Sequence, residues 1–403
     1  MIRIYPGKVK GSITPPSSKS LSHRALICAA LSDGVSTILN TGSSKDIEAT
    51  VNCLRKAGVQ IEYDGFRAEV RGGNFKFGDE VIDCNESGST LRFLIPLFTL
   101  DDSEKIFTGH GKLMSRPMSV YEKFYKESGG QFYLDDDRLH VRGPLKSGTY
   151  ELDGSVSSQF FTGLLLVLPL LKGDSELVVK GKLESKSYID LTISVMADFG
   201  VDVSFDGSVF KIRGGQSYHC QNYEVESDYS SAAFLKLLSE INAPVCINGL
   251  KKDSLQGDRV FFDFCEEIKK DGDICFDIAD CPDLGPALMV LGCLSGKETV
   301  ITNIARLRYK ESDRVDCMIE ELSKFGFKID AQSDSMFIHK GRMNNREDIV
   351  VNAHNDHRIA MALSCLATVY SGPVIISGEE SVAKSYPAFY DDLRMLGIRV
   401  ENL

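Results

Sequence analysis

The chain has 403 residues, 43% hydrophobic and 26% charged, which is ample apolar material for two or three cores and excludes disorder. A formal net charge of -11 argues against a nucleic-acid surface, which needs a basic stripe, and the longest apolar run, around Gly163 to Leu171, is broken by Pro169 and too short for a membrane span. Eleven cysteines form no C-x-x-C pair, and several (Cys28, Cys53, Cys293, Cys365) sit among helical apolar residues, so the expected setting is reducing and cytoplasmic, without zinc or disulfides.

A strand opens the chain at Ile2-Arg3-Ile4-Tyr5, with no apolar or Arg/Ser-rich stretch before it. A pattern then recurs six times: a turn rich in Ser, Asp, Gly or a basic residue runs into a helix of small and apolar residues. The starts are Ser18-Lys19-Ser20 with Arg24, Ser87-Gly88-Ser89 with Arg92, Ser157-Ser158-Gln159, Asp228-Tyr229-Ser230, Asp283-Leu284-Gly285 and Asn355-Asp356-His357-Arg358. Short β-prone runs follow, at Ser36 to Leu39, Lys105 to Thr108, Leu177 to Val179, Val245 to Ile247, Thr299 to Ile301 and Val374 to Ile376. A second, amphipathic helix and a further strand complete each unit, with closures at Gly58, Gly129-Gly130, Gly200, Gly272, Gly326 and Gly397. Ser or Asp is expected to accept from the free N–H groups at each helix start, and Gly to turn left-handed at each closure. The interval is roughly 70 residues, with one of about 55 between the fourth and fifth units, too long for common solenoids.

Taken singly, the chemistry-bearing stretches have two readings each. Lys19, Ser20 and Arg24 are spaced to converge on one anion, or they decorate an ordinary capped helix. Gly88 allows close approach of a ligand to the backbone, or marks a common turn. The loop Gly109-His110-Gly111-Lys112 lacks Walker spacing, so an ATP site is not expected, and Arg116 either clamps an anion or precedes the helix-starting Pro117. Ser157, Ser158 and Gln159 offer hydroxyl and amide groups to a phosphate, or a bland N-cap. Asp283 at a helix start is a poised proton acceptor, and Glu311 in Lys310-Glu311-Ser312-Asp313-Arg314 a second proton-transfer group, against the alternative of a solvated salt-bridged start. Arg358 and Lys384 share that ambiguity. His354 and His357 flank Asp356 with no third ligand in view, so no metal is expected. Jointly, basic residues gathered at helix entries of an acidic chain (among them Arg92, Arg306 and Arg308) point to a small polyanionic ligand.

Three units precede the region Tyr223 to Tyr229 and three follow it. The expected domains are therefore 15–226 and, joined by the opening strand, 1–14 with 227–403, the chain crossing twice and Pro15-Pro16 stiffening the first crossing. Helix N-termini side by side in each half would make two positive rims across a cleft.

The ordered motifs Ser18-Lys19-Ser20-x-Ser22-x-Arg24, Gly88-Ser89-Thr90-x-Arg92, Arg116-Pro117, Ser157-Ser158-Gln159-Phe160, Ser185-Lys186-x-Tyr188-Ile189-Asp190, Lys310-Glu311-Ser312-Asp313-Arg314 and Asn355-Asp356-His357-Arg358 resemble those of the 5-enolpyruvylshikimate-3-phosphate synthase family. The likeness runs from about Gly11 to beyond Lys384. It implies an α/β (α+β) fold of two domains, each of three β-α-β-α-β-β units, with an interdomain active-site cleft. It implies transfer of the enolpyruvyl group of phosphoenolpyruvate to the 5-hydroxyl of shikimate 3-phosphate through a tetrahedral intermediate, without cofactor, membrane or nucleic acid, by a monomer. By resemblance, Lys19, Ser20, Arg24, Ser157, Ser158, Gln159, Ser185, Tyr188, Asp283 and Lys310 hold shikimate 3-phosphate. Lys19, Gly88, Arg116, Gln159, Arg314, Arg358 and Lys384 hold phosphoenolpyruvate, whose site would also admit glyphosate beside Gly88. Asp283 accepts the hydroxyl proton, Glu311 takes part in protonating the methylene carbon, and Lys19 joins them as a catalytic group. Three positions depart from the family pattern: Ser17 in place of Gly, Glu86 in place of Asn and Arg306 in place of Asn. Glu86 would repel an anion unless Arg92 pairs with it.

Three other readings compete. A UDP-N-acetylglucosamine enolpyruvyl transferase needs a reactive Cys in the loop, and Gly109 to Pro117 holds none. An RNA 3'-phosphate cyclase is disfavoured by the acidic balance. A non-catalytic sugar-phosphate binder has no use for Asp283, Glu311 and Lys19 together.

Overall fold

The computed structural model describes residues 1–78, 81–347 and 349–403. They form two compact units, a continuous one of residues 17–226 and a discontinuous one of residues 1–16 with 227–403, each with its own apolar core. Among the described residues are five four-stranded sheets and one two-stranded sheet.

In the continuous unit one arrangement occurs three times: a parallel pair of strands extended by two antiparallel ones, the parallel partner being the preceding strand across a helix in two of the three. Thr149–Asp153, for example, pairs parallel with Ser175–Lys180, joined by the helix Ser158–Val167, and Ser175–Lys180 pairs antiparallel with Val209–Ile212. The sheet around Gly34–Leu39 takes its parallel partner, Asn222–Glu224, from the far end of the unit. The discontinuous unit repeats the order at Ile274–Asp277 with Thr299–Thr302 and at Ile349–Asn352 with Val374–Ser377. Its last sheet is completed by the opening strand, Ile2–Ile4, antiparallel to both Val374–Ser377 and Val400–Asn402.

All six closures use the left-handed backbone that glycine tolerates: φ is +87° at Gly58, +80° at Gly129, +83° at Gly200, +98° at Gly272, +94° at Gly326 and +97° at Gly397. The fourth repeat is shorter than expected. Only residues 268–273 separate its second helix, Phe261–Glu267, from the strand Ile274–Asp277, which already belongs to the next sheet, so no room is left for a hairpin. Its own sheet is the two-stranded pair Ser12–Ile13 with Cys246–Ile247, which accounts for the shortened interval.

The capping expectation holds at Ser87, Ser157, Asp228 and Asp356, whose side chains accept from Thr90, Gln159, Ser231 and Arg358 N–H. It fails at two starts. Ser18 offers its backbone oxygen instead, to the N–H and Oγ of Ser22 at 2.9 Å each, and its own Oγ caps nothing. Asp283 lies inside the 3-10 turn Pro282–Leu284 that precedes the helix Gly285–Leu294, and cations draw its carboxylate away.

Packing places the future site with little freedom. A Cβ at Gly163 would stand 2.3 Å from both Arg92 O and Tyr121 Oη, so only glycine lets the helix Ser158–Val167 close on the helix Gly88–Phe98. That contact brings Gln159 beside Ser89 and Arg92.

Candidate functional site

In the continuous unit, polar groups cluster where the helices Lys19–Leu31, Gly88–Phe98, Ser158–Val167 and Lys186–Asp198 begin. Lys19 Nζ meets Asp46 Oδ2 at 2.7 Å, both side chains partly exposed. Arg24 takes a different direction from the convergence expected of it. Its guanidinium is 2% exposed and donates to Thr192 Oγ1 at 2.8 Å, Ser20 O at 2.6 Å, Tyr188 O at 2.9 Å and Thr162 Oγ1 at 3.4 Å, over the Phe93 ring. Burial lowers its pKa to about 10. Arg24 thus orders Ser20 and Tyr188 from behind, because a buried cation must spend its donors on nearby acceptors.

Gly88 is the crowded point of this cluster. A Cβ there would meet Arg116 Nη1 at 2.8 Å, Arg92 Nη1 at 3.2 Å and Gln159 Oε1 at 3.5 Å. Arg92 donates to Gln159 Oε1 at 2.7 Å and lies over the Phe160 ring, while Gln159 Nε2 donates to Ser89 Oγ at 3.0 Å. The Glu86 carboxylate rests against Gly111, where a Cβ would meet Oε2 at 2.6 Å. Ser185 opens its helix with φ +54° and is buried beside Tyr188.

A chain of hydroxyls beneath these groups is not legible in the sequence. His23 Nδ1 meets Thr50 Oγ1 at 2.8 Å, Thr50 meets Thr90 Oγ1 at 2.7 Å, and Thr90 donates to Ser87 Oγ at 2.7 Å, all four side chains buried. Burial, with Lys19 and Arg24 adding to it, holds His23 well below the usual histidine range, so it is neutral.

The discontinuous unit carries a denser ionic cluster. Asp283 Oδ1 accepts from Lys310 Nζ at 3.2 Å and Arg314 Nη1 at 3.0 Å, and Oδ2 from Arg358 Nη2 at 2.8 Å. Arg314, 1% exposed, also donates to Asp356 Oδ2 through Nε and to Glu311 Oε2 through Nη2, both at 2.7 Å. Burial opposes its charge, but Asp356, Glu311 and Asp283 outweigh that and hold its pKa above the usual value. Burial lowers the Lys310 pKa against the pull of Asp283, with Arg314 adding to the lowering. Lys384 Nζ donates to Asn355 O at 2.6 Å, in the turn before Asp356. Arg306 donates to Ala279 O and acts on Lys310 through its charge. Arg308 instead pairs with Asp313 and Asp316 at the helix start, the ordinary surface arrangement.

Asp258 was missed by sequence reasoning, since nothing in its local sequence marks it as buried. It is 2% exposed, accepts from Ser230 Oγ, and burial together with the Asp283 charge raises its pKa to about 6. Near His354, Glu320 and Glu321 do supply the carboxylates the sequence did not reveal, within 4.8 Å. The Glu321 oxygens are already taken by Lys324 Nζ at 2.6 Å, Asn352 N at 3.0 Å and His354 Nε2 at 2.9 Å. Among the described residues no helix is long and apolar enough to cross a membrane.

Each unit thus offers anion-binding donors at helix starts, and the discontinuous one adds a carboxylate fixed by three cations, suited to anionic substrates and proton transfer. The family described as EPSP synthase (3-phosphoshikimate 1-carboxyvinyltransferase) matches residues 5–393. A 3-phosphoshikimate 1-carboxyvinyltransferase from Clostridium kluyveri is 41% identical, with 100% of this chain and 98% of that one covered. One from Clostridium botulinum (strain Eklund 17B / Type B) is 39% identical over 98% and 97%. Among solved structures, an EPSP synthase from Acinetobacter baumannii matches with a TM-score of 0.81 at 25% identity, covering 100% of this chain and 99% of that one. The enolpyruvyl transferase NikO from Streptomyces tendae matches in fold, with a TM-score of 0.77 at 15% identity over 99% and 98%.

Proposed function

The chain belongs to the EPSP synthase family, and we propose how its residues divide that family's reaction among them. The reaction passes the enolpyruvyl group of phosphoenolpyruvate to the 5-hydroxyl of shikimate 3-phosphate and releases phosphate, a step of aromatic amino-acid biosynthesis. The arrangement that carries the assignment is Asp283 held by Lys310, Arg314 and Arg358, with Glu311 on the same Arg314.

Ser20, Ser157, Ser158, Gln159, Ser185, Tyr188 and Lys310 hold shikimate 3-phosphate, with Arg24 bracing Ser20 and Tyr188 from its buried position. Lys19, Gly88, Arg116, Gln159, Arg314, Arg358 and Lys384 hold phosphoenolpyruvate, Lys19 and Gln159 serving both substrates. Protonation of the methylene carbon, in which Glu311 takes part with Lys19 beside it, makes the neighbouring carbon electrophilic. The 5-hydroxyl oxygen bonds to that carbon as its proton passes to Asp283. The resulting tetrahedral species carries a methyl group; loss of one methyl proton re-forms the double bond as the bond to phosphate breaks. The cations stabilise the departing phosphate, and no redox or metal cofactor enters. The chain works as a monomer, and its setting is the cytoplasm, where free cysteines persist.

Phosphate release from both substrates together, against each alone, tests the reading. Release with both only is expected, and Asp283→Ala should abolish it by at least a thousandfold while still binding shikimate 3-phosphate. Turnover by Asp283→Ala near the wild-type rate would refute the assignment.

A further inference from the structure

Three cations within 3.2 Å fix Asp283, but each also favours its ionised form and so weakens it as a proton acceptor. A second carboxylate acts on it in the opposite sense. Asp258 lies in the turn Gly257–Val260 and accepts from Ser230 Oγ in the first turn of the helix Tyr229–Ile241, which packs against the Pro282–Leu284 turn that carries Asp283. Gln256 fixes the same segment, accepting from Tyr229 N at 3.0 Å and donating to Ser227 O at 2.8 Å.

We propose that Asp258 is a positioning residue for proton transfer at Asp283: its negative charge offsets part of the cationic field and keeps Asp283 basic enough to take the hydroxyl proton. The proposal rests on Asp283 being the proton acceptor. A carboxylate buried this deeply carries a desolvation cost that Arg358 and Ser230 offset only in part, and its carboxyl titrates at about 6. A carboxylate buried at such a cost, bonded to a helix that packs against the turn carrying Asp283, is explained by function better than by folding. Asp228 also acts on Asp258, Asp258 and Asp283 both act on Cys281 together with Asp277 and Asp280, and Arg306, Glu311 and Asp356 act on the neighbouring Lys310 or Arg314.

Asp258→Asn removes the charge and keeps an acceptor for Ser230. In the full chain it should lower kcat by at least tenfold, move the acid limb of kcat against pH downward by on the order of one unit, and leave shikimate 3-phosphate affinity within twofold. Ser230→Ala, which removes a bond to the ionised form of Asp258, should move the limb the same way by less, and serves if Asp258→Asn does not fold. A wild-type kcat with a superimposable pH limb in the variant that folds would overturn the proposal, and an inactive Asp283→Asn in the same series would show that the proton acceptor itself still stands. An Asp283→Asn protein as active as wild type would overturn both.

Discussion

Arg358 grips Asp283 at two points: Nη2 donates to the carboxylate at 2.8 Å and Nη1 to the backbone oxygen at 3.2 Å. Its backbone N–H donates to Asp356 Oδ1 at 2.9 Å, so one residue ties the Asp283 turn to the start of the helix His357–Ala367. A lysine cannot make that two-point contact. Arg358→Lys should therefore lower kcat/KM for phosphoenolpyruvate by about a hundredfold or more in steady-state kinetics, by the precedent that small misplacement of a reacting group costs that much. A loss under threefold would contradict the orienting role.

Gly88→Ala adds a Cβ 2.8 Å from Arg116 Nη1 and 3.2 Å from Arg92 Nη1. Both neighbours are the ends of flexible side chains, so the fold should survive while the guanidinium of Arg116 is pushed aside. KM for phosphoenolpyruvate should rise by about tenfold with that for shikimate 3-phosphate within twofold, and inhibition by glyphosate should weaken at least as much as phosphoenolpyruvate binding. Equal changes for both substrates would place Gly88 outside the phosphoenolpyruvate site.

Asp356 is fully buried and receives Arg314 Nε at 2.7 Å and Ser312 Oγ at 3.1 Å. Removing it leaves Arg314 buried with less compensation, which costs about 3 to 5 kcal/mol for comparable pairs. Asp356→Ala should lower the thermal midpoint of the full chain by several degrees and nearly abolish turnover. An unchanged midpoint would show that Glu311 and Asp283 suffice to hold Arg314.

His23 is buried and neutral, its pKa driven well below the ordinary 6.5. Below pH 6.5 the unfolded chain binds a proton there that the folded chain does not, so this residue's contribution to stability is present above that pH and is lost as pH falls. The loss is about 1.4 kcal/mol per pH unit while the folded residue stays neutral. Between pH 6.5 and 5, His23→Gln should lose less stability than wild type in denaturant titrations. Parallel curves would mean that His23 takes up a proton in the folded state.

The repeat was legible because its signals are local: a left-handed glycine at every closure and charged or hydroxyl residues at helix starts follow from backbone chemistry that a few residues decide. The truncated fourth repeat was visible only as a short interval, since the pairing of Ser12–Ile13 with Cys246–Ile247 joins residues far apart in the chain. Lys310, Glu311, Arg314 and Arg358 could be found because basic and acidic residues at helix starts stand out in sequence. Arg24 was found but its direction was not, because Thr162, Thr192 and Tyr188, which take its donors, come from other helices. Asp258 and Thr50 gave no signal at all, and Thr90 gave one only as a member of a motif; what distinguishes them is burial, which tertiary packing alone decides.

Addition followed by elimination through a transient methyl group leaves a trace when the reaction runs in deuterated water, in the methylene group of the product. Deuterium is expected in that methylene, present only when both substrates are supplied and absent with Asp283→Ala. Phosphate released at the full rate with no deuterium incorporated would contradict it.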